Sequence, residues 1–188
     1  MEPLLTTFIA ALLAEWGDKT QLLVVALAVR YRRPLPILAG IAVAALANSL
    51  IAATGGIVVN SLIILRATSL LVAVALIFAG VGGFLGGKRP DLGEGWKPGP
   101  FLASAGGFFL IEFGDKTQFL TFALSAQFDS FALAALGATA GVLAASVPAA
   151  MLGESFPQTV PVRPVRLAIA AAFLLLGLIV AVNALRLV

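Results

Sequence analysis

Apolar residues run almost without interruption through six stretches of this chain, and polar or helix-breaking residues separate them. The runs predict helices at about 4–29, 34–59, 67–87, 101–126, 130–153 and 165–186. A bilayer span needs about 20 mostly apolar residues, so each run is long enough to cross. Arg30-Tyr31-Arg32-Arg33-Pro34 ends the first run with charge and proline, and Asn60 to Arg66 forms a short polar turn. The segment 88–100, Lys-Arg-Pro-Asp-Leu-Gly-Glu-Gly-Trp-Lys-Pro-Gly-Pro, is the one stretch with the composition of a linker. It divides the chain into a first three-helix repeat, 1–87, and a second, 101–188.

The two halves share a pattern. Glu15-Trp16-Gly17-Asp18-Lys19-Thr20-Gln21 recurs as Glu112-Phe113-Gly114-Asp115-Lys116-Thr117-Gln118, 97 positions later. The same separation joins Gly40 to Gly137 and Gly80 to Gly177 without a gap. Three helices per half is an odd number, so the second half enters the membrane from the opposite side. That predicts an all-α integral membrane protein of two inverted-topology three-helix repeats, an arrangement found in secondary transporters.

Composition agrees with this reading. Of 188 residues, 61% are hydrophobic and 11% charged, against about 25% charged in soluble domains, which excludes a water-soluble globule. The net charge of +3 sits in short loops rather than on one face or tail, so it reads as a topology signal and not as a nucleic-acid surface. Arg30, Arg32, Arg33, Lys88, Arg89, Lys97, Arg163 and Arg166 fall on one side, Arg66 and Arg186 on the other. By the positive-inside rule the loops after helices one, three and five, including the linker, are cytoplasmic and both termini lie outside. Met1-Glu2-Pro3 lacks the positive region of a secretory signal, so the first helix is expected to be retained.

The chain has neither cysteine nor histidine. Disulfide, thiolate and imidazole chemistry are therefore absent, no cofactor is indicated, and any metal ion must be held by oxygen. That favours hard cations such as Ca²⁺, Mg²⁺ or Mn²⁺.

Candidate chemistry centres on the doubled motif. In a continuous helix Glu15, Asp18 and Lys19 share a face, with Gln21 a turn beyond Asp18, and Glu112, Asp115, Lys116 and Gln118 repeat this. Both copies fall near mid-span. A charged residue there costs roughly 2.5–3.5 kcal/mol on insertion scales, so the six must face one another or a water-filled cavity. Four carboxylates and two ammonium groups leave a formal charge of −2, which one divalent cation or two protons would balance; competition between them would couple their movements. Gly17 and Gly114 could let the helix unwind and expose carbonyl oxygens. An intrahelical Glu–Lys pair can also be simple charge compensation, but two symmetric copies weigh against that.

Asn48 and Ser49 lie mid-span in helix two, and the repeat maps them to Ala145 and Ser146. These side chains are either neutral ligands or interhelical glue. Thr20 and Thr117 point away from the carboxylate face unless the helix unwinds. The runs Gly80-Val81-Gly82-Gly83 and Gly137-Ala138-Thr139-Ala140-Gly141 read as close-packing surfaces. Glu2, Asp129 and Glu154 read as solvated.

The paired Glu-x-Gly-Asp-Lys-Thr signatures, in a six-span chain with a central linker, resemble the transmembrane protein 165 (Gdt-type) family of cation/proton antiporters over essentially the whole length. The resemblance implies exchange of Mn²⁺, and in some members Ca²⁺, against protons. It also implies a cation site built on Glu15, Asp18, Glu112 and Asp115, with Lys19, Thr20, Gln21, Lys116, Thr117 and Gln118 as the remaining motif positions. On that likeness the chain is a compact bacterial member expected in the inner (plasma) membrane and exporting Mn²⁺. A passive divalent-cation channel, an intramembrane aspartyl protease and a non-catalytic membrane subunit are the alternatives. A protease needs two aspartates sharing a proton, which a lysine beside each one opposes. The sequence carries no signal of oligomeric state.

Overall fold

The computed structural model describes residues 1–85 and 98–185. Among these the chain is all-helical: α1 (Glu2–Glu15), α2 (Lys19–Tyr31), α3 (Pro34–Asn60), α4 (Leu65–Leu85), α5 (Pro100–Glu112), α6 (Lys116–Phe128), α7 (Phe131–Leu152), a 3-10 turn at Gly153–Ser155, α8 (Phe156–Thr159) and α9 (Val162–Leu185). Pro34–Asn60, Leu65–Leu85, Phe131–Thr159 and Val162–Leu185 are long and apolar enough to cross a membrane. With the exposed leucines and isoleucine along α9, Leu175, Leu176, Leu178 and Ile179, they define an integral membrane protein.

The first and fourth predicted helices are not continuous. Each breaks at the motif: Trp16 and Phe113 leave the helix with extended backbone, and Gly17 and Gly114 follow at φ +74° and +77°. That left-handed region costs a side-chain-bearing residue roughly 1–2 kcal/mol, so glycine is the residue that permits the break. Helix restarts from Asp18 and Asp115, both extended N-cap residues. Further on, α7 also stops where the sequence predicts, but Gly153, at φ +51°, leads into a 3-10 turn and α8 where a plain loop is expected.

Equivalent boundaries recur along the chain. Helices α2, α3 and α4 begin 97 residues before α6, α7 and α9. The first and second of these connections also match, because Arg32 and Asp129 both end a helix in the left-handed region. Packing partners correspond too: α1 lies on α7 as α5 lies on α3, and α1 touches α6 as α5 touches α2. Glycine sets the distance. A Cβ at Gly137 would stand 2.4 Å from Leu4 O, and one at Gly40 would stand 2.5 Å from Phe101 O, so these helix pairs approach to backbone contact. Gly80 and Gly177 likewise let α4 and α9 come close, each backbone against a side chain of the other, Leu174 and Ile77.

Two apolar cores result. One joins Leu23, Val24 and Leu27 of α2 with Ile37 and Ile41 of α3, Phe108 of α5 and Val142 of α7. The other joins Ala10 and Ala14 of α1 with Ala75 and Ala79 of α4, Leu120 of α6 and Phe173 of α9. The broken helices thus run between the long ones, with the first break buried and the second opening to the surface at Phe113 and Gly114. Lys88, Arg89, Lys97 and Arg186, four of the charges used to assign orientation, and most of the expected linker lie outside the described residues.

Candidate functional site

Each break is braced by its own glutamine. Gly17 N–H donates to Gln21 Oε1 at 2.8 Å, and Gly114 N–H to Gln118 Oε1 at 2.6 Å. The other end of each amide reaches the opposite half: Gln21 Nε2 donates to Ala145 O at 2.8 Å and Gln118 Nε2 to Asn48 O at 3.3 Å. Ala145 and Asn48 occupy equivalent positions of the two halves, so the two braces correspond. Unwinding frees backbone groups that a buried segment must satisfy, and the glutamines do so. Expected from the sequence as metal ligands, Gln21 and Gln118 have their amides committed to the backbone here.

The aspartates face across the halves. An N-cap aspartate ordinarily accepts from the first-turn amides, but neither Asp18 nor Asp115 makes a capping bond. Lys116 Nζ stands 2.6 Å from Asp18 Oδ2 and 3.7 Å from Asp115 Oδ2, and Lys19 Nζ stands 3.1 Å from Asp115 Oδ1. Charges of one motif copy are therefore paired crosswise with those of the other, 98 and 96 positions away. The pairing is unequal: the Lys116 side chain is 7% exposed and that of Lys19 35%.

The glutamates differ more sharply. Both are buried, at 2% exposure. Glu15 accepts from both motif threonines, Thr20 Oγ1 to Oε2 at 2.5 Å and Thr117 Oγ1 to Oε1 at 2.6 Å. Both carboxylate oxygens of Glu112 are buried with no hydrogen-bond partner, and the charged groups around it are Glu15, Asp115, Lys116 and Asp18. The single-face arrangement expected of a continuous helix is thus corrected. Because the helix unwinds, the threonines turn toward a carboxylate instead of away, and the lysines reach the opposite copy.

Neutral candidates divide. Asn48 Nδ2 donates to Phe109 O at 3.3 Å, and Ser146 Oγ donates to Val142 O of its own helix at 2.8 Å. Ser49 and Asn48 line a void of about 10 Å³ beside Glu112 and Thr117, about the volume one water centre needs. Among the described residues no group of three or more acidic side chains is gathered closely enough to hold a metal ion. In this conformation the ammonium groups of Lys116 and Lys19 neutralise the aspartates.

Access to the two copies is unequal. A cavity of about 560 Å³ reaches Gly114, Asp115 and Gln118, walled by Ile51 and Ala52 of α3, Val74 and Phe78 of α4, and Phe119 and Phe122 of α6. On the other side only about 10 Å³ separates Asp18, Trp16 and Lys116 from Arg166 and α9. The sequence reading missed Arg166, taking it as a loop charge. It projects over the first break, with Nη1 3.4 Å from Gly17 O. Nothing in the sequence separates it from exposed Arg163 except its position one turn deeper in the apolar run.

Paired helix breaks in a membrane-embedded bundle, carrying cross-paired charges, define a membrane ion transporter. The chain belongs to the family described as divalent cation/proton antiporter GDT1, which matches residues 3–91 and 100–187. That is a family of transporters and not of enzymes. A protein of Vibrio cholerae serotype O1 named "Putative manganese exporter" is 44% identical over 118 residues, covering 61% of this chain and 57% of the relative. The match therefore spans little more than half of that relative's length. No solved structure matches the chain significantly.

Proposed function

We propose that this protein is a secondary-active antiporter that exports Mn²⁺, and secondarily Ca²⁺, from the cytoplasm in exchange for protons. The observation that carries the proposal is the crosswise pairing of Asp18 and Asp115 with Lys116 and Lys19 at the two helix breaks. Lysine ammonium here stands where a transported cation would neutralise the same carboxylates. Exchange requires the aspartates to release the lysines and, with Glu15 and Glu112, to close on the incoming ion. Protons returning to these carboxylates then dismiss it. Oxygen-only ligation suits Mn²⁺ and Ca²⁺, and the name of the Vibrio relative favours manganese.

In this reading α1–α2 and α5–α6 each cross the bilayer as one broken span, which brings the total to six. Matching boundaries and packing partners support an inverted repeat with 1–87 and 101–188 as its units. The cluster of Arg30, Arg32, Arg33 and Arg163 supports a cytoplasmic α2–α3 connection, outside termini and residence in a bacterial inner membrane. A cavity at one motif copy with the other copy covered argues for a carrier rather than a channel.

Purified protein in liposomes with an imposed pH gradient tests this directly, by following Mn²⁺, Ca²⁺ and Mg²⁺ flux. Uphill Mn²⁺ movement driven by protons is expected. Flux that only ever runs down its own gradient would replace the antiporter with a channel.

A further inference from the structure

The two breaks correspond in backbone and bracing, yet they differ in what covers them. A Cβ at Gly114 would meet nothing within 4 Å, whereas one at Gly17 would meet Val162 Cγ1 at 2.9 Å and Arg166 Cβ at 3.1 Å. Phe113 is 56% exposed, while its counterpart Trp16 is half-buried beside Arg166. The residue equivalent to Arg166 is Ser69, whose short side chain bonds Leu65 O and Gln127. Among the described residues, Arg166 covers the first break and its counterpart Ser69 leaves the second uncovered. The large cavity runs from the second break along α6 to Phe122, on the side of that break that leads to the α6–α7 connection, past Ile51 and Ala52 in the second half of α3 and mid-helix Val74 and Phe78 of α4. Arg166, on the first turns of α9, lies toward the opposite face.

Helix α9 does not act alone. Gly80 and Gly177 let α4 and α9 pack backbone to side chain, and Arg66 at the start of α4 donates to Ala184 O at 2.5 Å and Leu185 O at 2.8 Å at the end of α9. The pair is fastened at one end and in the middle. Its polar contact with the first break is weaker: one long hydrogen bond to Gly17 O, with Arg166 Nε buried and unpartnered. A guanidinium only partly satisfied can be withdrawn at little cost, because little is lost on leaving.

We infer that Arg166 is the latch of a cytoplasmic-side gate, and that the α4–α9 pair is the body that swings it away from Gly17 and Asp18 as the cavity at Asp115 closes. This inference rests on the antiporter reading and names the residue that decides which motif copy is accessible. Arg166 is a positioning residue: it holds the closed side closed and does not bind the cation.

The chain contains no cysteine, so single introduced thiols report access without background. Phe122→Cys places one in the cavity, and Val25→Cys places one at its counterpart, which is 1% exposed. Labelling with a membrane-impermeant maleimide, added to each side of sealed vesicles, should modify Phe122→Cys readily from outside and Val25→Cys slowly from either side. Adding Arg166→Gln should speed labelling of Val25→Cys from the cytoplasmic side several-fold and slow that of Phe122→Cys. Arg163→Gln, which removes an exposed charge one turn away, should change neither. If Arg166→Gln yields no protein, Arg166→Lys, which keeps the charge and loses the fork, should shift both rates in the same directions by less. Unchanged rates in the Arg166 variants, or a protected Phe122→Cys in the parent, would overturn the gate. These rates report access and not flux, so a failed gate leaves the liposome result standing. A protein that moved no Mn²⁺ could equally still show the shift.

Discussion

Thr117, the threonine of the second motif copy, donates to Oε1 of Glu15 in the first copy at 2.6 Å across 102 positions of sequence. With Thr20 on the other oxygen, Glu15 holds both motif hydroxyls while Glu112 holds neither. A hydrogen bond to a buried charged group contributes about 1.5–3 kcal/mol. Thr117→Val should therefore weaken apparent Mn²⁺ affinity in liposome flux by roughly ten- to a hundredfold, and Thr117→Ser should restore most of it. A valine variant with unchanged affinity would make this contact incidental to transport.

Asp18 and Asp115 supply the charge that pairs across the halves. Replacement of either by asparagine keeps the volume and removes the charge, so exchange should fall to background while membrane insertion stays near normal. Flux normalised to the amount of protein in the membrane separates the two effects. A wild-type rate in either variant would remove that carboxylate from the cycle.

The two motif glycines should respond differently to alanine. Both adopt the left-handed backbone, which costs each variant roughly 1–2 kcal/mol. Only Gly17→Ala adds an encounter with Val162 and Arg166, whereas Gly114→Ala meets open space. Thermal unfolding in detergent should show a larger loss of midpoint for Gly17→Ala. Equal losses would mean that Val162 and Arg166 yield without cost.

Acidification should weaken metal binding. In the proposed cycle protons and cation compete for the same carboxylates, and a proton taken up removes charge the metal needs. Lowering the pH on the metal-loaded side should raise the Mn²⁺ concentration giving half-maximal flux, and raising the pH should lower it until the carboxylates are fully ionised. Metal flux indifferent to pH on both sides would separate proton binding from the metal site.

Much of the fold could be read from the residues because a bilayer allows few alternatives. Uninterrupted apolar runs fixed the long helices to within a few positions, and the 97-residue spacing marked equivalent boundaries later seen at Lys19 and Lys116. The motif residues were visible as charges with no reason to lie in lipid. Their mutual arrangement was not visible, because helical periodicity assumes a continuous helix. Gly17 and Gly114 end that periodicity, so every facing inferred from it, that of the threonines above all, changed. Arg166 escaped notice for a different reason: long cationic side chains near span ends ordinarily extend to the interface, and only its contact with Gly17 O shows it turned inward.

Gln21 and Gln118 carry a consequence for the energetics of capture. Each amide stands in for the peptide groups its helix gave up, so the kink is already complete while the aspartates are engaged by lysines. In the proposed cycle an arriving ion need not unwind anything; it has only to exchange places with an ammonium group. The cost of shaping the site is thus met during folding rather than on each encounter, and such preorganisation strengthens binding without adding contacts.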